Sequence, residues 1–326
     1  MKKGGSLQLP AIYQPVAEGL VQVEDSLRGL AKGDFPMLVE VLGHILNRRG
    51  KRIRPALTLL AGQFYGNTPP ELVAMATAVE LLHTATLIHD DVVDGAGMRR
   101  GSPTVNYLWR EGTAVLAGDY LFAKSAELVA STGDQKVINL FAQVLMTICQ
   151  GELRQLFAAY DLNQDREQYY QRIARKTASL FATATQSGAI LSGAPPAAVV
   201  SLREYGFNLG MAFQIVDDIL DFRGEAEEMG KPVGSDLLQG SLTLPVLLWM
   251  EKTSQTDLLQ DAFGKRDRAS FHQVVEAVRT STALEEAFQI AGQFSSLALD
   301  SLASLPNHPC RHSLERVAEY ALRRRH

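Results

Sequence analysis

Hydrophobic residues recur along most of the chain at three- and four-residue intervals, while the alternating pattern of half-buried strands is almost absent. Read by this period, the sequence predicts helices over residues 11–31, 36–47, 71–94, 113–131, 134–160, 166–192 and 197–222, with weaker helical patterns from 242 to 325. Turn chemistry supports some of the boundaries. Thr68-Pro69-Pro70-Glu71 has the order of an N-cap, a helix-opening proline and a capping-box glutamate. Gly224 is placed to close the helix ending at Phe222, because glycine tolerates the left-handed turn that terminates helices. Residues 224–241 are glycine-rich, carry both charge signs and follow neither period, which marks a long functional loop. No repeat, low-complexity tract or linker divides the chain, so residues 1–326 read as one all-α domain, a single helical bundle.

Composition narrows the function classes. With 326 residues, 46% of them hydrophobic and 21% charged, the chain can bury a large core, and a net charge of −4 argues against a nucleic-acid partner. Cys149 and Cys310 are the only cysteines and lack C-x-x-C spacing, so neither a disulfide framework nor a zinc site is expected, and a reducing cytoplasm fits. The basic N-terminal residues Met1 to Ser6 have no apolar region after them. No uninterrupted apolar run reaches membrane-spanning length, so membrane contact is expected to be peripheral at most.

Two acidic clusters carry the chemistry. Asp90, Asp91 and Asp94 close a helix that is apolar on nearly every side back to Leu72, and Asp217, Asp218 and Asp221 repeat the D-D-x-x-D spacing at the end of another apolar helix. Residues four apart share a helix face, so like charges meet there. The negative end of the helix dipole adds to the repulsion, and burial raises its cost. A cation must compensate. Hard carboxylate oxygens on two facing helices suit magnesium, which shares its coordination with substrate phosphates. The D-x-D-x-D-G spacing of a calcium loop is not met.

Basic groups stand ready for such phosphates. Gly50-Lys51-Arg52-Ile53-Arg54-Pro55 forms a basic turn between two apolar helices, and Met98-Arg99-Arg100-Gly101 follows directly after Asp94. His83 lies two helical turns before Asp90, whereas His89, six residues further on, occupies a different face and reads as a core histidine. Lys176, Thr177 and Gln214 interrupt apolar helices and need polar partners. Lys231 lies in the glycine-rich loop, where it is placed to close over a bound diphosphate.

These motifs resemble the trans-isoprenyl diphosphate synthase, or polyprenyl synthetase, family, over roughly residues 50 to 245. The resemblance implies an isoprenoid-synthase helical fold with a central cavity, a Mg2+ cofactor and a homodimer. It implies that Asp90, Asp94 and Asp217 bind magnesium, supported by Asp91, Asp218 and Asp221. Arg99, Lys176, Thr177, Gln214 and Lys231 would hold an allylic diphosphate. Lys51, Arg54, His83 and Arg100 would hold isopentenyl diphosphate. The chain departs from the family pattern at Ser241, where a lysine is usual before the T-L-P stretch, and one phosphate clamp is therefore expected to be missing. Arg323 and Arg325 match the family's basic C-terminus, and Asp119 reads as structural.

The implied reaction is metal-assisted ionisation of an allylic diphosphate (geranyl, farnesyl or geranylgeranyl), attack by the isopentenyl double bond, and proton loss to the departing diphosphate. Ala85 and Thr86, small residues about one turn (~5.4 Å) below Asp90, predict a product channel continuing past Leu82 and Val79, with Phe141 and Leu145 as candidates for its floor. A product longer than geranylgeranyl is expected. A short-chain synthase, a class I terpene cyclase and a non-catalytic partner subunit are the alternatives. The second D-D-x-x-D cluster and the Lys51–Arg54 turn argue against a cyclase, and retention of both acidic clusters argues against an inactive subunit.

Overall fold

The computed structural model describes residues 8–32, 35–48, 50–66, 68–99, 101–223, 233–253 and 256–324. Their helices are α1 (Leu9–Ile12), α2 (Ala17–Leu30), α3 (Pro36–Leu46), α4 (Ile53–Gly62), α5 (Pro70–Val93), α6 (Val105–Leu108), α7 (Glu111–Ala130), α8 (Gln135–Phe157), α9 (Arg166–Ile173), α10 (Ser179–Leu191), α11 (Pro196–Arg223), α12 (Ser235–Leu238), α13 (Leu244–Met250), α14 (Thr256–Lys265), α15 (Arg268–Thr280), α16 (Ala283–Ser301) and α17 (Pro309–Arg323). A π turn, Ala174–Ala178, joins α9 to α10. Met98–Arg99 and Ser102–Pro103 pair as a minimal antiparallel hairpin between α5 and α6.

Four predicted helices, 36–47, 71–94, 113–131 and 197–222, match observed ones to within two residues at each end. The segment 11–31 is broken at Pro15 by a short 3-10 turn, Gln14–Val16, and 166–192 is bent by the π turn. Among the described residues side-chain caps fix four starts, α8 and α9 among them. Asp134 accepts from the amides of Lys136 and Val137, and Asp165 forms a capping box with Gln168, satisfying N–H groups that have no partner within the helix. The expected Thr68 N-cap is corrected. Pro69 holds that position without a side-chain cap, and the Thr68 hydroxyl accepts instead from Gln63 at 2.7 Å. Gly224 and the first half of the 224–241 loop lie outside the described residues; the half that is described contains the short helix α12.

The bundle is organised around α5, which packs against α2, α4, α7 and α10. Leu72, Met75, Leu81 and Leu82 on it are fully buried, each contributing about 1.5–3 kcal/mol of apolar burial. By length and composition α5 could cross a membrane, but 67% of its apolar window is buried inside the bundle, as in a core helix. Next to it α10 lies between α4 and α11. Gly206 and Gly210 permit the contact between α10 and α11, since a Cβ on either would meet the Phe181 carbonyl oxygen at 2.6 Å or the Ala178 Cα at 2.5 Å. This closeness sets the end of α11 beside the π turn.

Candidate active site

The C-terminal ends of α5 and α11 open into one cavity of about 490 Å³. Six elements meet in its wall: His83, Thr86, Leu87, Asp90 and Asp91 from α5; Phe213, Gln214 and Asp217 from α11; Lys51, Arg52 and Arg54 at the start of α4; Ile148 and Glu152 from α8; Lys176 and Thr177 from the π turn; and Arg99 from the hairpin. Asp90 and Asp217 therefore face the same space.

The three acids of the first cluster occupy different settings. Asp90 has the Lys176 ammonium 3.7 Å from its carboxylate. Asp91 is buried and accepts from Arg99 Nε at 2.6 Å, so the hairpin arginine expected on a diphosphate is anchored on this carboxylate. Asp94 caps α5 through its amide, 2.8 Å from the Asp90 carbonyl, and lies exposed outside the cavity lining. Its charge still acts on Lys176 and Glu152.

In the second cluster, Asp217 accepts from Arg324 Nη1 at 2.5 Å. The Arg324 side chain is only 3% exposed, stacks 3.5 Å from the centre of the Phe213 ring and donates to the Phe213 carbonyl. Asp218 is absent from the cavity lining and accepts from the Tyr169 hydroxyl at 2.7 Å and from Gln214 Nε2 at 2.8 Å. Asp221 accepts from the Ser235 hydroxyl at 2.8 Å and from the Ser235 and Asp236 amides at 3.2 Å. Expected among the metal ligands, Asp218 and Asp221 instead brace the end of α11 and the start of α12. Burial, reinforced by the charge of Asp236, pushes the Asp218 carboxyl up to about 8 and that of Asp221 up to about 7.

A polar chain crosses the site. Thr177 donates to Gln214 Oε1 at 2.6 Å and Gln214 donates on to Asp218, so the two residues expected on a diphosphate also fix each other. Lys176 donates to Glu152 at 2.9 Å. Burial raises the Glu152 pKa, against the lowering pull of Lys176; burial alone would lower that of Lys176, but Asp90 and Glu152 hold it above its ordinary value. Lys51 approaches the Tyr320 ring at 5.9 Å and the Arg54 guanidinium lies over Phe181 at 4.7 Å, both still in the cavity wall. His89 turns away to Phe122 and lies 3.4 Å from Asp119, in keeping with structural roles for both. Arg100, Lys231 and Arg325 lie outside the described residues. Ser241 is buried, its amide bonded to the Asp236 carbonyl at 2.9 Å.

Sequence reasoning passed over Glu152, Arg52 and Arg324. Arg52 adopts a left-handed φ of 49° and pairs with Glu24 at 2.5 Å and with the buried Glu80 at 2.7 Å, so its charge is spent inside the fold. Among the described residues Arg324, rather than the exposed Arg323, is the C-terminal arginine that reaches the site. Glu152 had a readable signal, because it continues the buried row Phe141, Val144 and Ile148 at helical spacing.

The expected channel wall is also revised. Thr86 lines the cavity, but Ala85 does not; it is fully buried with Leu81, Ile88 and Leu121. Leu82 and Val79 lie deeper, in an apolar cluster with Met75, Phe141, Val144 and Leu180, and Leu145 packs at its edge. Among the described residues no three acidic, histidine or cysteine side chains converge closely enough to hold an ion alone. The two clusters thus form facing half-sites rather than a closed cage of six aspartates. Their donor set still suits a hard cation, for Asp90 and Asp217 are hard oxygen donors and each already draws a cationic side chain.

The polyprenyl synthetase family model matches residues 35–280. The chain belongs to this family. It is 38% identical over 314 residues to heptaprenyl diphosphate synthase component 2 of Geobacillus stearothermophilus, covering 96% of this chain and 98% of the relative. It is 36% identical over 325 residues to chloroplastic solanesyl-diphosphate synthase 2 of Oryza sativa subsp. japonica, covering 98% and 80%. Polyprenyl synthase from Caulobacter crescentus, solved with calcium and isoprenyl diphosphate, superposes with a TM-score of 0.93 at 34% identity over the full length of both chains. The family match extends beyond the motif region at both ends and takes in α3 and the helices through α15.

Proposed function

We propose that this polyprenyl synthetase family member is a trans-prenyltransferase that condenses isopentenyl diphosphate with an allylic diphosphate to make an all-trans polyprenyl diphosphate longer than geranylgeranyl. The observation that carries the reading is the position of Asp90 and Asp217 in the wall of one cavity, surrounded by the cationic groups of three other elements. We read residues 1–326 as one catalytic domain.

Mg2+ held by Asp90, Asp94 and Asp217 would supply Lewis-acid neutralisation of the leaving diphosphate. Lys176, Thr177, Gln214 and Arg99 orient the allylic diphosphate, while Lys51, Arg54 and His83 hold isopentenyl diphosphate; Lys231 and Arg100, outside the described residues, are assigned to these two subsites from their sequence motifs alone. Asp91, Asp218 and Asp221 act through Arg99, Gln214 and α12. The allylic C–O bond breaks with its electron pair passing to the diphosphate. The isopentenyl double bond then supplies the pair for the new C–C bond, and the departing diphosphate takes the proton lost from the resulting cation. The apolar walls below Asp90 exclude water, which would otherwise trap the cation.

Support for a long product comes from Thr86, a small side chain in the cavity wall, and from the purely apolar cluster of Val79, Leu82 and Phe141 that lies deeper along α5, where a growing tail would have to displace only hydrophobic groups. The heptaprenyl and solanesyl names of its relatives point the same way. For partners we infer a homodimer, supported by the side of α7 and α8 that exposes Leu116, Tyr120, Met146, Leu153, Leu156 and Phe157. Because one relative is named component 2, a second, different chain is the competing partner. The deciding experiment incubates the purified chain alone with Mg2+, farnesyl diphosphate and isopentenyl diphosphate and sizes the products by chromatography. A ladder longer than geranylgeranyl is expected; cyclic hydrocarbon, or no turnover without a second chain, refutes the reading.

A further inference from the structure

Glu152 has no role in the scheme above, yet it lines the cavity. Gly151 brings it there: a Cβ at 151 would meet Arg175 Cβ at 3.1 Å and the Lys176 amide nitrogen at 3.5 Å, so α8 lies directly against the π turn. Such turns interrupt the regular ladder and re-aim side chains. Here the turn sends Lys176 between two carboxylates on different helices, 2.9 Å from Glu152 and 3.7 Å from Asp90.

The unequal sharing asks for a reason. A lysine meant for a diphosphate needs no carboxylate partner, and a second negative charge beside an anion site weakens anion binding. What Glu152 does achieve is to keep the ammonium from making a contact ion pair with Asp90. Charge-assisted hydrogen bonds of that kind are short and strong, and one on Asp90 would occupy an oxygen that a divalent cation also needs. We propose that Glu152 is a positioning residue that draws Lys176 off Asp90 and thereby keeps the Asp90 carboxylate open to the divalent cation. The inference rests on the reading of Asp90 as a metal ligand.

Glu152→Gln keeps the shape and the acceptor oxygen but removes the charge, so Lys176 is expected to close on Asp90. In calorimetric titrations with Mg2+ at a fixed concentration of inorganic diphosphate, the variant should bind Mg2+ about tenfold more weakly, the low end of the loss seen when the partner of a metal ligand is removed. The same substitution made in a Lys176→Gln background should change Mg2+ affinity by less than about twofold, because the competing ammonium is gone and the coupling is between these two residues. A structural role for Glu152 would produce the same loss in both backgrounds. Equal losses in the two backgrounds, or none in either, overturn the inference. Wild-type protein that takes up no Mg2+ overturns the proposed function itself.

Discussion

Asp218 shows how much of this site is spent on holding other groups in place. Its carboxyl, fully enclosed between Tyr169 and Gln214, is pushed up to about 8, and that of Asp221 to about 7, whereas an unfolded chain ionises near ~3.9. The native state therefore keeps protons that the unfolded state has shed. The contribution of these groups to stability is full below about pH 4 and is lost as pH rises through 7 to 8. In metal-free protein, urea unfolding of Asp218→Asn should show a flatter decline between about pH 5 and 8 than wild type, and identical slopes would count against burial as the cause. On the proposed function, product length also turns on single residues. Thr86→Phe puts a ring into the cavity wall and should shorten the products sized by chromatography. Ala85→Phe instead overpacks a closed core, at about 1–3 kcal/mol, and should lower Tm by roughly 2–4 °C per kcal/mol, with product length unaltered among molecules that remain folded. The aspartates, lysines and histidine of the site were legible because charge in an apolar helix demands a partner. Their division of labour was not, since spacing cannot tell which of two adjacent carboxylates, Asp217 or Asp218, turns to the cavity and which is claimed by Tyr169 from forty-nine positions away.

Helices were legible where the apolar period ran unbroken, as in α5 and α11, and less so where a local feature interrupted it. The π turn at Ala174–Ala178 leaves no compositional mark, because one inserted residue shifts the helix face without changing residue types. The hairpin at 98–103 pairs too few residues to show an alternating pattern. Exposed apolar faces behave differently again, since α7 and α8 each present apolar side chains to the outside, with Leu116 70% and Phe157 84% exposed. Cys149 is exposed on α8 among Met146, Leu153 and Leu156, whereas Cys310 is buried and its thiol is pushed up to about 11 by desolvation. Pairing of two copies through this face should shield Cys149 from iodoacetamide. A Leu153→Glu variant should elute at monomer size and expose it, and Cys310 should react only on unfolding, because burial suppresses the attacking thiolate. Mass spectrometry of the alkylated chain reads the labelling and size-exclusion chromatography the assembly, and a wild-type Cys149 that labels as fast as in Leu153→Glu would count against pairing through this face.

At the scale of the whole molecule, α11 belongs to two cores. Leu202, Tyr205 and Leu209 pack with the cluster of α2, α4 and α5, while Ile215, Val216, Ile219 and Phe222 pack with the cluster of α13 to α16. Asp90 therefore rides mainly on the first core and Asp217 on the second, and the cavity lies where they meet. A diphosphate with its cation, gripped from both sides, would tie the cores together, whereas either ligand alone would engage only one wall. Ligands that bind only the native state stabilise it by about 2.7 kcal/mol at one hundred times Kd. At roughly 2–4 °C per kcal/mol, Mg2+ together with inorganic diphosphate at that level should raise Tm by about 5–10 °C. Mg2+ or diphosphate alone should give well under half of that rise, and Asp217→Asn should abolish the excess while leaving the unliganded Tm within a few degrees of wild type. Differential scanning calorimetry measures each case directly, and an additive response, in which the joint shift merely equals the sum of the separate ones, would mean that the two acidic helices do not grip a common ligand.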